Sequence, residues 1–259
     1  PIPEFALLDA EGEIYVEHHA GVDGVKATGH LKTWTENFEN AFLKGLMEGA
    51  PTLNVDFTRQ INGTTDLQKV ILQSPALQLN AKGQRDNGNG NPLHLIGSGN
   101  QRSYGSLRLK LDGDIAHPHL DIQLDHPVDS LGLKDVNLIL EPTQKGYDWN
   151  SHGGSPLGNF KGLGRIDVIP RQPTVIHVQN LDISASHFSG DLTAVGRGVN
   201  GQLQSSGALT GRINFQVPLN PTSDNEQQIN VALTTNNGHL GGVFESVIRH
   251  GDILSLIHI

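Results

Sequence analysis

Apolar residues recur at every second position through most of this chain. Leu107, Leu109 and Leu111 are separated by Arg108 and Lys110, and Leu120, Ile122 and Leu124 by Asp121 and Gln123. Val136, Leu138 and Leu140 continue the rhythm, followed by Ile176 and Val178, Leu181 and Ile183, Ile213, Phe215 and Val217, and Ile229, Val231 and Leu233. Successive side chains of a strand point to opposite faces, so each set places its aliphatic residues on one side and most of its polar residues on the other. Turn sequences divide the sets: Asp86 to Pro92, Asp112-Gly113, Lys145-Gly146, Gly153-Gly154, Asn200-Gly201 and Asn236 to Gly238. Strands recurring about every 8–12 residues between such turns are those of an antiparallel meander.

Composition agrees with frequent turning. The chain has 31 Gly among 259 residues, and charged residues make up only 17%, where about 25% is usual. The net charge is −9. With no Lys/Arg cluster, that balance argues against nucleic-acid binding and against docking on an anionic membrane surface. Cysteine is absent, which excludes disulfides, thiolate metal sites and a cysteine nucleophile. No run of 18 apolar residues occurs, so no segment spans a bilayer as a helix.

The expected fold is therefore all-β and mostly antiparallel, with one greasy and one wet face. A compact sandwich, a closed barrel and an elongated sheet curled into an open trough all satisfy the pattern. Roughly 20 strands at about 4.8 Å spacing would make a ribbon on the order of 90 Å if stacked in one direction. A parallel β-helix is disfavoured by the lack of a fixed short repeat. A membrane barrel is disfavoured because the 8 Phe, 3 Tyr and 2 Trp are scattered rather than gathered into girdles.

One segment departs from this rhythm. Between Thr33 and Glu48, Trp34, Phe38, Ala41, Phe42 and Leu46 fall on one helical face. Thr33 and Glu36 make a capping-box pattern, Gly49 is placed to end the helix, and Pro51 comes two residues later. The spacing predicts an amphipathic helix near residues 33–48 packed on a sheet.

Motifs with chemical content are sparse. Gly196, Gly198 and Gly201 match a dinucleotide-loop pattern, but the polar, Gly-broken stretch after them offers no helix to receive a phosphate. His117, His119 and Asp121 alternate on one strand face and could meet a metal, with no fourth ligand evident. His18 and His19 point to opposite faces if extended. Asp86 to Asn91 resembles a calcium loop but has Gly88 and Gly97 where ligands belong. Asn62-Gly63-Thr64 is a formal glycosylation acceptor. Asp112 and Asp114 flank a turn, where Asp is expected for local hydrogen bonding. There is no nucleophile elbow, zinc-protease helix or phosphate loop. No catalytic residue, metal or cofactor is expected, and the chain is not read as an enzyme.

The segment Leu107 to Leu124, LRLKLDGDIAHPHLDIQL, resembles the repeated unit of the TamB-like proteins of the AsmA superfamily. In that unit an apolar strand runs into Gly, a short apolar-x-x-Pro turn and another strand; Gly113, Ile115 and Pro118 stand at those places. Leu157 to Ile166, His187 to Leu192, Gly201 to Leu203 and Gly211 to Ile213 resemble further elements, and the likeness runs over about residues 5–253. It rests on order and rhythm. It implies a periplasmic region of an inner-membrane-anchored envelope protein, its sheet curled into a trough with an apolar interior. It also implies partnership with a TamA-like outer-membrane barrel through regions outside this chain, and roles in phospholipid movement to, and protein assembly in, the outer membrane. On this reading phospholipid acyl chains contact Leu107, Leu109, Leu111, Leu120, Ile122, Leu124, Ile176, Val178, Ile213, Phe215, Val217, Ile229, Val231 and Leu233; plain core packing is the competing role for each.

The reading divides the chain into a β segment at 1–32, the helix at 33–49, an elongated β region at 50–253 and a tail at 254–259. Pro1 stands where a native start would have Met, and Leu254 to Ile259 look like a translated sequencing adapter. Two other functions compete: a secreted or cell-surface adhesin, which predicts a long exposed patch and no apolar groove, and a carbohydrate-active enzyme. The enzyme predicts two carboxylates across a cleft, one held protonated.

Overall fold

A computed structural model of the chain describes residues 9–18, 24–34, 47–88, 90–102, 104–114, 117–125, 133–169, 172–195, 198–218, 226–235, 238–249 and 252–258; side chains are described to residue 194 and over 199–214. The chain forms two units, Pro1–Pro127 and Val128–Ile259. Both are all-β.

The first unit contains β1 (Asp9–His18), β2 (Val25–Trp34), β3 (Thr52–Arg59), β4 (Thr65–Gln73), β5 (Leu77–Arg85), β6 (Leu93–Gln101), β7 (Gly105–Gly113) and β8 (His119–Leu124). Each strand pairs antiparallel with the next in chain order. The second unit contains β9 (Lys134–Thr143), β10 (Gly146–Ser155), β11 (Gly158–Asp167), β12 (Val175–Ile183), β13 (Ser186–Val195), β14 (Gly198–Gly207), β15 (Leu209–Pro218), β16 (Glu226–Thr235), β17 (Gly238–Arg249) and β18 (Asp252–His258). It obeys the same neighbour-to-neighbour rule. Among the described residues no ladder returns from the last strand of either unit to its first. In each unit the described strands form an open antiparallel sheet, not a closed barrel.

Two strands carry one more residue than both their neighbours. In β4, Leu67 pairs with Gly83 and Val70 with Ala81, while on the other side Gln68 is skipped between Lys69↔Asp56 and Leu67↔Phe57. In β12, Val178 pairs with Gly190 and Leu181 with Phe188, and Gln179 is skipped opposite β11. A bulge absorbs an odd residue, so the rest of the strand keeps its faces. Residues three apart, Leu67 and Val70 or Val178 and Leu181, thereby share a face.

Only the two ends of the predicted helix fall among the described residues. Thr33 and Trp34 belong to β2, where Thr33 pairs with Ala10 and Leu53, and Trp34 with Asp9 and Thr52. Ladder bonds on both sides outweigh a local capping pattern, so the proposed helix start is corrected to a strand end. Residues 35–46 lie outside the described residues. Met47 alone of the described part is helical, and Glu48 comes next at φ 53. Met47 is buried against Leu77, with Leu72 and Leu107 packed beside them.

Candidate functional site

The registers line up the aliphatic residues of successive strands. In the first unit one cross-strand row reads Gly12, Leu31, Val55, Val70, Ala81, Gly97, Leu109, Ile122 from β1 to β8. The neighbouring rows end in Leu111↔Leu120 and Leu107↔Leu124. In the second unit a row reads Leu140, Trp149, Gly164, Val178, Gly190, Leu203, Ile213, Val231 from β9 to β16. The next contains Ile176, Leu192, Gly201, Phe215 and Ile229. Val217 pairs with Val199, and Leu233 with Gly211.

Every residue proposed for acyl contact thus sits at an in-phase position of its ladder. Their coverage differs. Leu107, Leu109, Leu111, Leu120, Ile122 and Leu124 are half-buried, as are Ile176 and Ile213, whereas Val178 is buried. The side chains of Phe215, Val217, Ile229, Val231 and Leu233 lie outside the described residues. At β1 the apolar face is open: Ile14 is 64% and Val16 62% exposed. Among the described side chains of the second unit, Val178, Phe188 and Leu203 are buried together, flanked by Trp149, Ile176, Leu181, Leu192 and Ile213.

Large side chains lie over glycines on the neighbouring strand. A β-carbon on Gly29 would meet the Phe57 ring at 2.8 Å, and one on Gly162 the Trp149 ring at 2.9 Å. Trp149 Nε1 donates to the His177 carbonyl at 3.2 Å. These pairings explain part of the glycine content: a bare backbone is where a ring can lie flat on the sheet.

The opposite face is polar and carries a recurring pair that sequence reasoning missed. His30 Nδ1 lies 2.5 Å from Asp56, His94 Nδ1 2.8 Å from Asp112, and His177 Nδ1 2.7 Å from Asp191. His187 pairs with Asp182 in the same way. Asp112 also takes an ion pair from Lys110 at 2.9 Å. The hydrogen bond with His94, then that with Lys110, holds the Asp112 carboxyl below its ordinary pKa against a weaker opposing effect of burial. The hydrogen bond with His187 does the same for Asp182. Both are displaced in the direction opposite to that of a general acid.

Of the other motifs, His119 and Asp121 stand on β8 opposite Asp112 and Lys110. Among the described residues no group of three His, Asp or Glu is arranged to hold a metal. Gly198 and Gly201 lie inside strand β14, while residues 196 and 197 are outside the described residues, as is His19. Asn62 Oδ1 accepts from the Thr64 amide at 3.0 Å, closing a turn with Gly63 at φ 88.

A cavity of about 560 Å³ opens on the polar face of the first unit, over β4 to β8. Lys69, Lys82, Arg108 and Lys110 line it, with Asp121 the one carboxylate. Comparison with protein-family models, with curated proteins and with solved structures finds no match for this chain.

Proposed function

We propose that the chain is part of a non-enzymatic envelope scaffold of the TamB-like kind, its sheet curled so that the apolar face guides phospholipid acyl chains between two membranes. The proposal places it in the periplasm, anchored through regions beyond this chain, with a TamA-like barrel as partner at the outer membrane. The observation that carries it is the phase-matched register: strand after strand, an aliphatic, aromatic or glycine residue stands beside another, and Leu107, Leu109, Leu111, Leu120 and Leu124 are half-buried, not sealed. A transporter of chains needs a continuous surface of this kind and no specific polar contact. Each buried methylene contributes about 0.8 kcal/mol, so two 16-carbon chains exposed to water would oppose transfer by on the order of 25 kcal/mol.

The test places a photo-crosslinking residue at Leu109 or Ile122, with Ser98 on the polar face as control. Lipid recovered from adducts at the first two positions and not at Ser98 is the expected result; equal labelling at Ser98 overturns the proposal. Ile122→Asp is expected to leave the far-UV circular dichroism unchanged while abolishing the lipid adduct at Leu109. Unfolding of that variant would assign Ile122 to a packed core.

A further inference from the structure

We infer that the cavity on the polar face of the first unit is a binding site for an anionic oligosaccharide of two or three rings. It lies on the face opposite the apolar lane and does not rest on the lipid proposal; either can fail alone.

The chain carries a net charge of −9, yet the cavity gathers Lys69, Lys82, Arg108 and Lys110 against the single carboxylate Asp121. The ladders fix their layout. One row runs Lys82, Ile96, Lys110, Asp121 and the next Asn80, Ser98, Arg108, Gln123. Lys82 and Lys110 are two strands apart, about 10 Å, and Arg108 and Lys110 two residues apart, about 7 Å. Cations at such separations suit anionic groups on different sugar rings better than a single small ion.

Their charge is unevenly committed. Lys110 is paired with Asp112 at 2.9 Å and Arg108 with Asp125 at 3.2 Å, which holds both side chains in place. Asp56, opposite Lys69 in the ladder, is engaged by His30 at 2.5 Å. Among the described residues neither Lys69 nor Lys82 has an acidic partner, so both are available to a ligand.

The uncharged lining completes the chemistry. Gln68, Asn80, Ser98 and Gln123 present amides and a hydroxyl, which both donate and accept and so match sugar hydroxyls. Ile96, 64% exposed at the centre of the cationic row, offers an apolar platform for the C–H face of a ring. The hollow, about 560 Å³, is open, with Lys69, Lys82, Ile96 and Arg108 exposed, so a ligand would lie along the sheet face. An anion site alone would have no use for Ile96, and a neutral-sugar site none for four cations.

The test is calorimetric titration of the 259-residue chain with a trisulfated heparin disaccharide, its desulfated parent and free sulfate. Expected is saturable binding of the sulfated disaccharide only, weakened by added salt. Lys82→Gln and Arg108→Gln should each weaken it about tenfold, the scale of one charge-assisted hydrogen bond. Lys161→Gln, on the second unit, should leave it unchanged. Absence of binding, free sulfate binding as tightly as the disaccharide, or equal weakening by Lys161→Gln each overturns the inference. Circular dichroism of the variants controls for folding.

Discussion

The indole of Trp149 occupies the space that a β-carbon on Gly164 would need, with Nε1 2.7 Å and Cε2 2.9 Å from that position. The His177 carbonyl oxygen, which accepts the Trp149 N–H, would be 1.9 Å from it. Ring and backbone are therefore fitted to the absence of a side chain. Gly164→Ala is expected to destabilise the second unit by about 1–3 kcal/mol, as overpacking does, with Trp149 fluorescence reporting a displaced indole. A urea midpoint and emission spectrum equal to those of the parent would contradict this.

Phe188 and Leu109 are both on apolar faces but differ in coverage. Phe188 is 5% exposed beside Val178 and Leu203, so Phe188→Ala is expected to lose about 3–5 kcal/mol. Leu109 is half-buried, and Leu109→Ala should lose less than half as much. Chemical denaturation of the two variants checks the ordering.

Gln101 is fully buried at the end of β6, and its Oε1 accepts the Tyr104 amide at 2.8 Å. It pairs in the ladder with buried Leu77. Gln101→Ala would remove that bond and leave the Tyr104 amide only its longer one to the residue-101 carbonyl, 3.2 Å, a loss of about 1 kcal/mol. Gln101→Glu should keep the acceptor yet place a charge there, and should be the less stable of the two at neutral pH. Thermal melts of both variants at pH 7 separate the two effects.

The depressed pKa values of Asp112 and Asp182 set a sign for acid behaviour. A carboxyl whose folded pKa lies below its unfolded one contributes stability above the unfolded value, and loses it as pH falls through the folded value. The affected window lies below about pH 4. Carboxyl titration by NMR should place both groups below the ordinary aspartate value, with His187→Gln returning Asp182 upward. Lys110 behaves oppositely: the hydrogen bond and charge of Asp112 raise its pKa, so its contribution is present in neutral solution and disappears as pH climbs past the folded value. Asp112→Asn should bring the Lys110 pKa down.

Much of the fold was legible in the alternation itself. Leu107, Leu109 and Leu111 announced a strand with one aliphatic face, but Asp112-Gly113, Gly153-Gly154 and Asn200-Gly201, read as turns, lie inside β7, β10 and β14. The helix start was misplaced at Thr33 and Trp34 because the ladder partners of Trp34, Asp9 and Thr52, are distant in sequence. The His–Asp pairs stayed hidden for the same reason. His94 and Asp112 are 18 residues apart, and nothing local joins them until the register of β6 and β7 is known. Lys69, Lys82, Arg108 and Lys110 likewise form no run in the chain, and a search for basic clusters along it passes over them. One signal was available: Val178 and Leu181 break the alternation by a single residue, which is how a bulge is written in sequence.

That extra residue gives the chain a rule about parity. Along β4 or β12 an even number of residues can be added or removed and every side chain beyond keeps its side of the sheet. An odd number exchanges inside for outside over the rest of the strand, except at Gln68 and Gln179, where the odd residue is already absorbed. Deleting Gln179 should therefore straighten β12 and leave its aliphatic face intact, whereas deleting His177, two residues away, would turn Ile176 toward water.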